Sequence, residues 1–186
     1  MIVIEKGLQS RVKEVAARTR TANSPYYAIN PSGRVPYLIC EDGGGLEESA
    51  AICTYLDSLD GTPVLVQPAP LQALAATRLD ALAASTLDGL AVWFRELVRP
   101  ESERSPTIIA HEQARAERLL GWWEQAIDAP WMNGALNHAQ LRLACALAFA
   151  LRIRGYDWRP ERPRLTAWLE RFSQRPSFQA TEPPAP

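Results

Sequence analysis

Residues Asn30 to Asp57 read NPSGRVPYLICEDGGGLEESAAICTYLD, and two residue pairs in this stretch carry usable chemistry. The first is Val35-Pro36. A proline entering a strand cannot donate to the ladder, so it marks an edge or a special turn. A cis bond before proline costs only about 0.5–1 kcal/mol over trans. In the cis form the Val35 N–H and C=O would face outward, ready to pair with an extended peptide as an added strand. The second pair is Glu48-Ser49, placed to open a helix. The first turn of a helix leaves N–H groups unpaired and carries a partial positive charge. A ligand carboxylate is well placed there, held by the Ser49 N–H and hydroxyl.

Each pair has a plainer reading when taken alone. Pro36 reads first as an ordinary trans proline at a strand end. Glu47, Glu48 and Ser49 read first as caps of their own helix. The two features lie within fifteen residues of each other and are joined by one hairpin. Together they describe a slot for a small peptide, with backbone pairing at one end and a carboxylate seat at the other.

The flanking elements must hold that slot. Met1 to Gly7 reads as the end of a helix, with Gly7 suited to a left-handed C′ position. The alternative makes MIVIE a first strand and Ser10–Arg20 a helix, which leaves no room for a second strand before Pro25–Pro31. RVKEVAA (Arg11–Ala17) alternates enough for a short strand. Val35–Cys40 reads as a strand, EDGGG as a hairpin turn, and Leu46 as a brief second strand. Ala50, Ile52, Cys53, Tyr55, Leu56 and Leu59 form an apolar stripe at helical spacing, stopped by Gly61 and Pro63.

Gly61–Pro70 holds three prolines and little charge, a linker composition. The spacing beyond it predicts helices only. One runs from Leu71 to Leu97 before Pro100, and another from Pro106 to Ile127 before Pro130. A third is announced by Asn137 and Gln140, a capping box, and is apolar on nearly all sides, as befits the middle of a bundle. Leu165, Trp168, Leu169 and Phe172 mark a last amphipathic helix, and ATEPPAP is an extended tail. The expected domains are therefore 1–62, a linker at 63–70, and an all-α domain at 71–186.

Composition narrows the function. The chain has 186 residues, 47% hydrophobic and 22% charged, an ordinary globular balance. A formal net charge of -1 gives no field to attract nucleic acid or anionic lipid, so neither nucleic acid nor membrane is an expected partner. No apolar run approaches the roughly 20 residues that span a bilayer. The arginines at 152, 154, 159, 162, 164, 171 and 175 alternate with acids and prolines and read as solvated surface. Cys40, Cys53 and Cys145 are widely spaced and read as small buried hydrophobes in a reducing, cytoplasmic setting. His111 and His138 each stand without a Cys/His cluster, so no metal is expected.

The pattern NPxGxVPxL followed by ESxAIxxYL, met by Asn30, Pro31, Gly33, Val35, Pro36, Leu38, Glu48, Ser49, Ala51, Ile52, Tyr55 and Leu56, resembles the glutathione transferase family. LNHAQLRLACAL is similar to that family's capped central helix, with Asn137 and Gln140 in place of the usual Ser/Thr and Asp. RLTAWLERFSQRPSFQATEPP is similar to its closing helix. The resemblance implies an α/β thioredoxin-like N-terminal domain, here truncated, followed by an all-α helical-bundle C-terminal domain. It also implies a homodimer that uses glutathione as substrate against a small electrophile. Val35, next to Pro36, would pair with the cysteinyl unit, Glu48 and Ser49 would hold the γ-glutamyl end, and Arg34 would approach the glycyl carboxylate. Trp93, Phe94 and Trp122 would face the second-substrate pocket, although packing is the commoner role for such aromatics.

In the family a strand and a loop bearing Ser, Cys or Tyr precede the helix that ends in EKGL. No such loop precedes EKGL here, so no catalytic residue is assigned, and the natural protein is expected to start further upstream. Loss of an interior strand would remove ladder bonds and expose new edges. The rival expectation is a non-catalytic glutathione- or ligand-binding protein, or one that works through interaction only.

Overall fold

The computed structural model describes residues 1–183, and part of the expected extended tail, residues 184–186, lies outside the described residues. The chain divides into two compact units, Met1–Leu65 and Val66–Pro186.

In the first unit α1 spans Ile2–Glu5 and ends at Gly7, whose φ of 63° takes the left-handed form glycine tolerates. That excludes the arrangement with MIVIE as a strand. The Lys6 side chain is almost wholly enclosed. Its Nζ donates to Asp60 Oδ1 at 2.6 Å and to the Thr62 carbonyl at 2.8 Å. The strand expected over Arg11–Ala17 does not form. The segment joins no ladder, because no strand among the described residues pairs with it. A 3-10 turn at Pro25–Ala28 follows, capped by the Ser24 hydroxyl.

β1, Tyr37–Ile39, and β2, Gly45–Glu47, form an antiparallel hairpin with Tyr37 opposite Glu47, Leu38 opposite Leu46 and Ile39 opposite Gly45. Cys40 N–H donates to the Gly44 carbonyl at 2.8 Å, which closes the glycine turn. A Cβ on Gly45 would overlap the Tyr37 hydroxyl, so any other residue opposite Ile39 would have to displace the Tyr37 ring. α2, Ser49–Ser58, packs on both strands and on α1, burying Ile52 and Leu56. The Asp57 carboxylate is buried and accepts from the Val64 and Leu65 N–H groups, which ties down the chain after the helix.

The second unit is helical. α3, Ala73–Leu97, packs against α4, Pro106–Ala126, and α6, His138–Ala150. The short α5, Pro130–Asn133, precedes α6, and α7, Pro163–Ser173, and α8, Pro176–Gln179, close the chain. The capping box of α6 is complete. Asn137 accepts from Gln140 N–H at 3.1 Å, and the Gln140 side chain accepts from Asn137 N–H at 3.2 Å. Leu143, Ala144, Ala146, Leu147 and Ala150 are 0% exposed, which puts α6 at the centre of the core. The first turn of α7 is capped from α4, since the Glu124 carboxylate accepts from the Arg164 and Leu165 N–H groups.

Several side chains depart from the sequence reading. Leu71 and Leu74, at the start of the helix expected from Leu71, are exposed, and the buried face of α3 runs through Ala76, Ala83, Leu90 and Trp93. Cys145 is exposed on α6, and Cys40 and Cys53 are half-buried, so none of the three is the fully buried hydrophobe expected. Arg162 is no solvated arginine. It is 7% exposed, donates to the Trp158 carbonyl and pairs with Glu117. The tail begins with a turn, since the Thr181 hydroxyl donates to the Ser177 carbonyl at 2.7 Å.

Candidate functional site

The hairpin and the start of α2 bring the two sequence pairs into one small region of the first unit. The Val35–Pro36 peptide bond is cis, and Val35 is 57% exposed. Among the described residues no backbone hydrogen bond takes up the Val35 N–H or C=O, so both are available to a ligand. Glu48 stands immediately before α2 with φ 68° and ψ 120°. A non-glycine residue at positive φ costs of order 1–3 kcal/mol and persists only where its surroundings dictate it, most often at functional sites. Ser49 opens the helix with its N–H unclaimed by any backbone acceptor among the described residues. The N-terminal partial charge of α2 adds to this donor.

Arg34 lies beside the same helix start. Its Nη2 is 3.3 Å from Glu48 Oε1, and both side chains are exposed. Such a pair contributes little by itself, about 0–1 kcal/mol, so a ligand carboxylate can displace it at small cost. Arg34, Val35, Pro36, Glu48 and Ser49 are therefore brought together.

A polar network holds the turn between Asn30 and Arg34. Asn30 is 2% exposed. Its Nδ2 donates to Glu47 Oε1 at 2.7 Å and to the Arg34 carbonyl at 3.0 Å, and its Oδ1 accepts from Ser32 N–H at 3.1 Å. The Ser32 hydroxyl donates to the same Glu47 oxygen, and Tyr26 donates to the Arg34 carbonyl. The Ser32 and Asn30 hydrogen bonds hold the Glu47 carboxyl below its usual range. Sequence reasoning took Glu47 for a capping acid and Asn30 for a motif match. Neither sign of the network is local: it needs the hairpin to bring residue 47 back over residues 30 to 32.

Four hydroxyls of residues 24 to 32 have partners within the protein. Tyr26 serves Arg34, Ser32 serves Glu47, Ser24 donates to the Arg18 carbonyl, and Tyr27 accepts from Thr21 N–H. The Tyr55 hydroxyl is held above the usual tyrosine range, chiefly by its hydrogen bond with Cys40.

In the second unit Trp93, Phe94 and Trp122 each meet a different aromatic partner. Trp93 is buried edge-on to Tyr156 with ring centroids 4.9 Å apart, Phe94 meets Phe149 at 5.2 Å, and Trp122, 47% exposed, meets Trp123 at 5.2 Å. The Trp93 indole N–H is buried with no acceptor among the described residues. Among the described residues no cluster of three or more His, Cys, Asp or Glu side chains is placed to hold a metal ion, and no helix is long and apolar enough to cross a membrane.

Residues 1–59 match the glutathione S-transferase N-terminal domain, and residues 106–171 match the glutathione S-transferase C-terminal domain. The chain is 27% identical to the GST-like protein YibF of Escherichia coli strain K12, over 99% of this chain and 91% of that protein. It is 28% identical to the glutathione S-transferase GstA of Escherichia coli O157:H7, over 83% of this chain and 75% of that protein. Its structure superposes on that of a glutathione transferase family member from Pseudomonas fluorescens Pf-5 with bound glutathione. The TM-score is 0.86 at 28% identity, over 99% of this chain and 91% of the other. A glutathione S-transferase from Methylobacillus flagellatus KT with glutathione bound gives a TM-score of 0.85 at 28% identity, over 98% and 91%. The architecture is that of a thioredoxin-like N-terminal unit followed by an all-α C-terminal unit.

Proposed function

We propose that this chain, which belongs to the glutathione S-transferase family, holds glutathione in its first unit and uses the thiol on small electrophiles. The observation that carries this reading is the pairing of the free Val35 N–H and C=O with the open start of α2 at Ser49. Backbone pairing at Val35 orients the cysteinyl unit, as when a strand is added to a sheet edge. The Ser49 N–H and hydroxyl hold the γ-glutamyl carboxylate at the positive end of the helix, and Glu48 takes the ammonium beside it. Arg34 turns from Glu48 toward the glycyl carboxylate.

Held in this way, the thiol loses its proton to solvent and the thiolate attacks an electrophilic carbon. A new S–C bond forms as the carbon expels its leaving group, or as its π-electron pair shifts to the adjacent atom, which then takes up a proton from solvent. Orientation supplies most of the acceleration. The electrophile would meet apolar side chains of the Trp93, Phe94 and Trp122 kind. A cytoplasmic homodimer acting in detoxification completes the proposal.

A second reading has its own support: the Tyr26, Ser32 and Ser24 hydroxyls donate to protein partners and are not free to donate to the sulfur. On that reading the chain binds glutathione without turnover. Titration calorimetry with glutathione, followed by a glutathione-dependent assay with a chromogenic haloarene, separates the cases. Binding with turnover supports the transferase, binding alone supports the second reading, and no binding at millimolar glutathione rejects both.

A further inference from the structure

We infer that Glu47 is a positioning residue for glutathione, fastening the turn that carries Val35 to the strand end that leads into Glu48 and Ser49. The inference rests on the glutathione-binding reading given above. One carboxylate oxygen of Glu47 receives the Asn30 amide at 2.7 Å and the Ser32 hydroxyl. Asn30 in turn holds the Arg34 carbonyl at 3.0 Å, and the Ser32 hydroxyl accepts from Arg34 N–H at 3.2 Å. Both backbone polar groups of Arg34, the residue directly before Val35, are thereby fixed from Glu47.

On its other side Glu47 is bonded through the chain to Glu48, whose φ of 68° turns Ser49 into the helix start. Glu47 also faces Tyr37 in the ladder. A single side chain therefore sets the separation between the backbone that would pair with the cysteinyl unit and the donors that would hold the γ-glutamyl carboxylate. The clasp is distinct from the apolar core of the unit. Ile2, Leu8, Ile52, Leu56 and Leu65 are the buried hydrophobic residues there, and none of them belongs to it. Losing the clasp should thus spare the fold and loosen the two ends of the ligand relative to each other.

The test uses the full chain as wild type, Glu47→Ala, Glu47→Gln and Ser32→Ala. Glutathione Kd is measured by calorimetry, and the ligand-free thermal midpoint is measured alongside. Glu47→Ala is expected to raise Kd about tenfold or more with a nearly unchanged midpoint, by the usual worth of charge-assisted hydrogen bonds. Gln keeps an oxygen that accepts from both Asn30 and Ser32, so Glu47→Gln should stay within about threefold of wild type. Ser32→Ala should fall between them. Wild-type binding with Glu47→Ala equal to it overturns this inference and leaves the glutathione reading standing. Glu47→Gln as weak as Glu47→Ala overturns it too, as does weakened binding that merely follows a collapse of the midpoint. Failure of the wild type to bind removes the glutathione reading and this inference together.

Discussion

Ser49 contributes a backbone N–H at the first position of α2 and a hydroxyl beside it. Only the hydroxyl is open to mutation, so Ser49→Ala tests half of the carboxylate seat. A hydrogen bond to a charged group contributes about 1.5–3 kcal/mol, which converts to a rise in glutathione Kd of roughly 10- to 100-fold, measurable by calorimetry. An unchanged Kd would place the γ-glutamyl end elsewhere. At this scale the sequence was informative wherever a residue acts through its own backbone position. Val35 beside a proline and Ser49 at a helix start are roles that neighbours in the chain define. Glu47 and Asn30 act through side chains that meet across seventeen positions, and nothing local announces that meeting. Arg162 escaped for the same reason, since its Glu117 partner lies on another helix.

Among the elements, those with local start signals were legible and those defined by partners were not. The capping box of α6 needs only Asn137 and Gln140 three residues apart, and it forms as the sequence announced. Arg11–Ala17 has a strand-like pattern, but a strand exists only where another pairs with it, so the pattern alone misled. The short α5 and α8 each begin with proline at the first helical position, where its missing N–H costs nothing, a signal that was there to be used. Asn137→Ala removes the cap and also strips partners from the Trp131 and Ala135 carbonyls in a buried setting. The expected loss is about 2–4 kcal/mol in a denaturant titration. Ser105→Ala, at the more open start of α4, should cost only about 1 kcal/mol. Equal losses would show that the burial around Asn137 adds nothing.

The clasp of Lys6 on Asp60 and Thr62 gives the first unit a pH dependence. The Asp60 carboxyl is held below its ordinary value, first by the Lys6 hydrogen bond and then by the Thr62 N–H. A lowered value in the folded state means a contribution that is present above the unfolded value, about 3.9, and is lost as pH falls through the folded one. Asp60→Asn should therefore lower the thermal midpoint at pH 7, and the gap to wild type should narrow below about pH 4. A gap that stays constant with pH would assign the effect to the amide's shape and not to the charge. Asp60 is substantially exposed, so the shift at pH 7 should be small.

Over the whole molecule the two units differ in how much apolar surface they enclose. The buried hydrophobic residues of the first unit are Ile2, Leu8, Ile52, Leu56 and Leu65, whereas the second unit holds four buried tryptophans, Trp93, Trp123, Trp158 and Trp168, and most of the remaining core. Three of those indoles reach acceptors, Trp123 at Thr86, Trp158 at the Leu147 carbonyl and Trp168 at the Met132 carbonyl, whereas the Trp93 N–H has none among the described residues. Local opening follows such differences in buried contact. Native-state hydrogen exchange should find the α6 amides slowest, and the hairpin and α2 amides faster. A ligand that binds only the folded first unit stabilises it by RT ln(1 + [L]/Kd), about 2.7 kcal/mol at a hundredfold excess over Kd. Glutathione at that concentration should then slow exchange in β1, β2 and α2 by up to about a hundredfold, while the slowest amides of α6 change less. Equal protection of α6 would mean that the two units open as one. No protection of the hairpin would mean that the Val35 backbone and the Ser49 helix start do not hold the tripeptide.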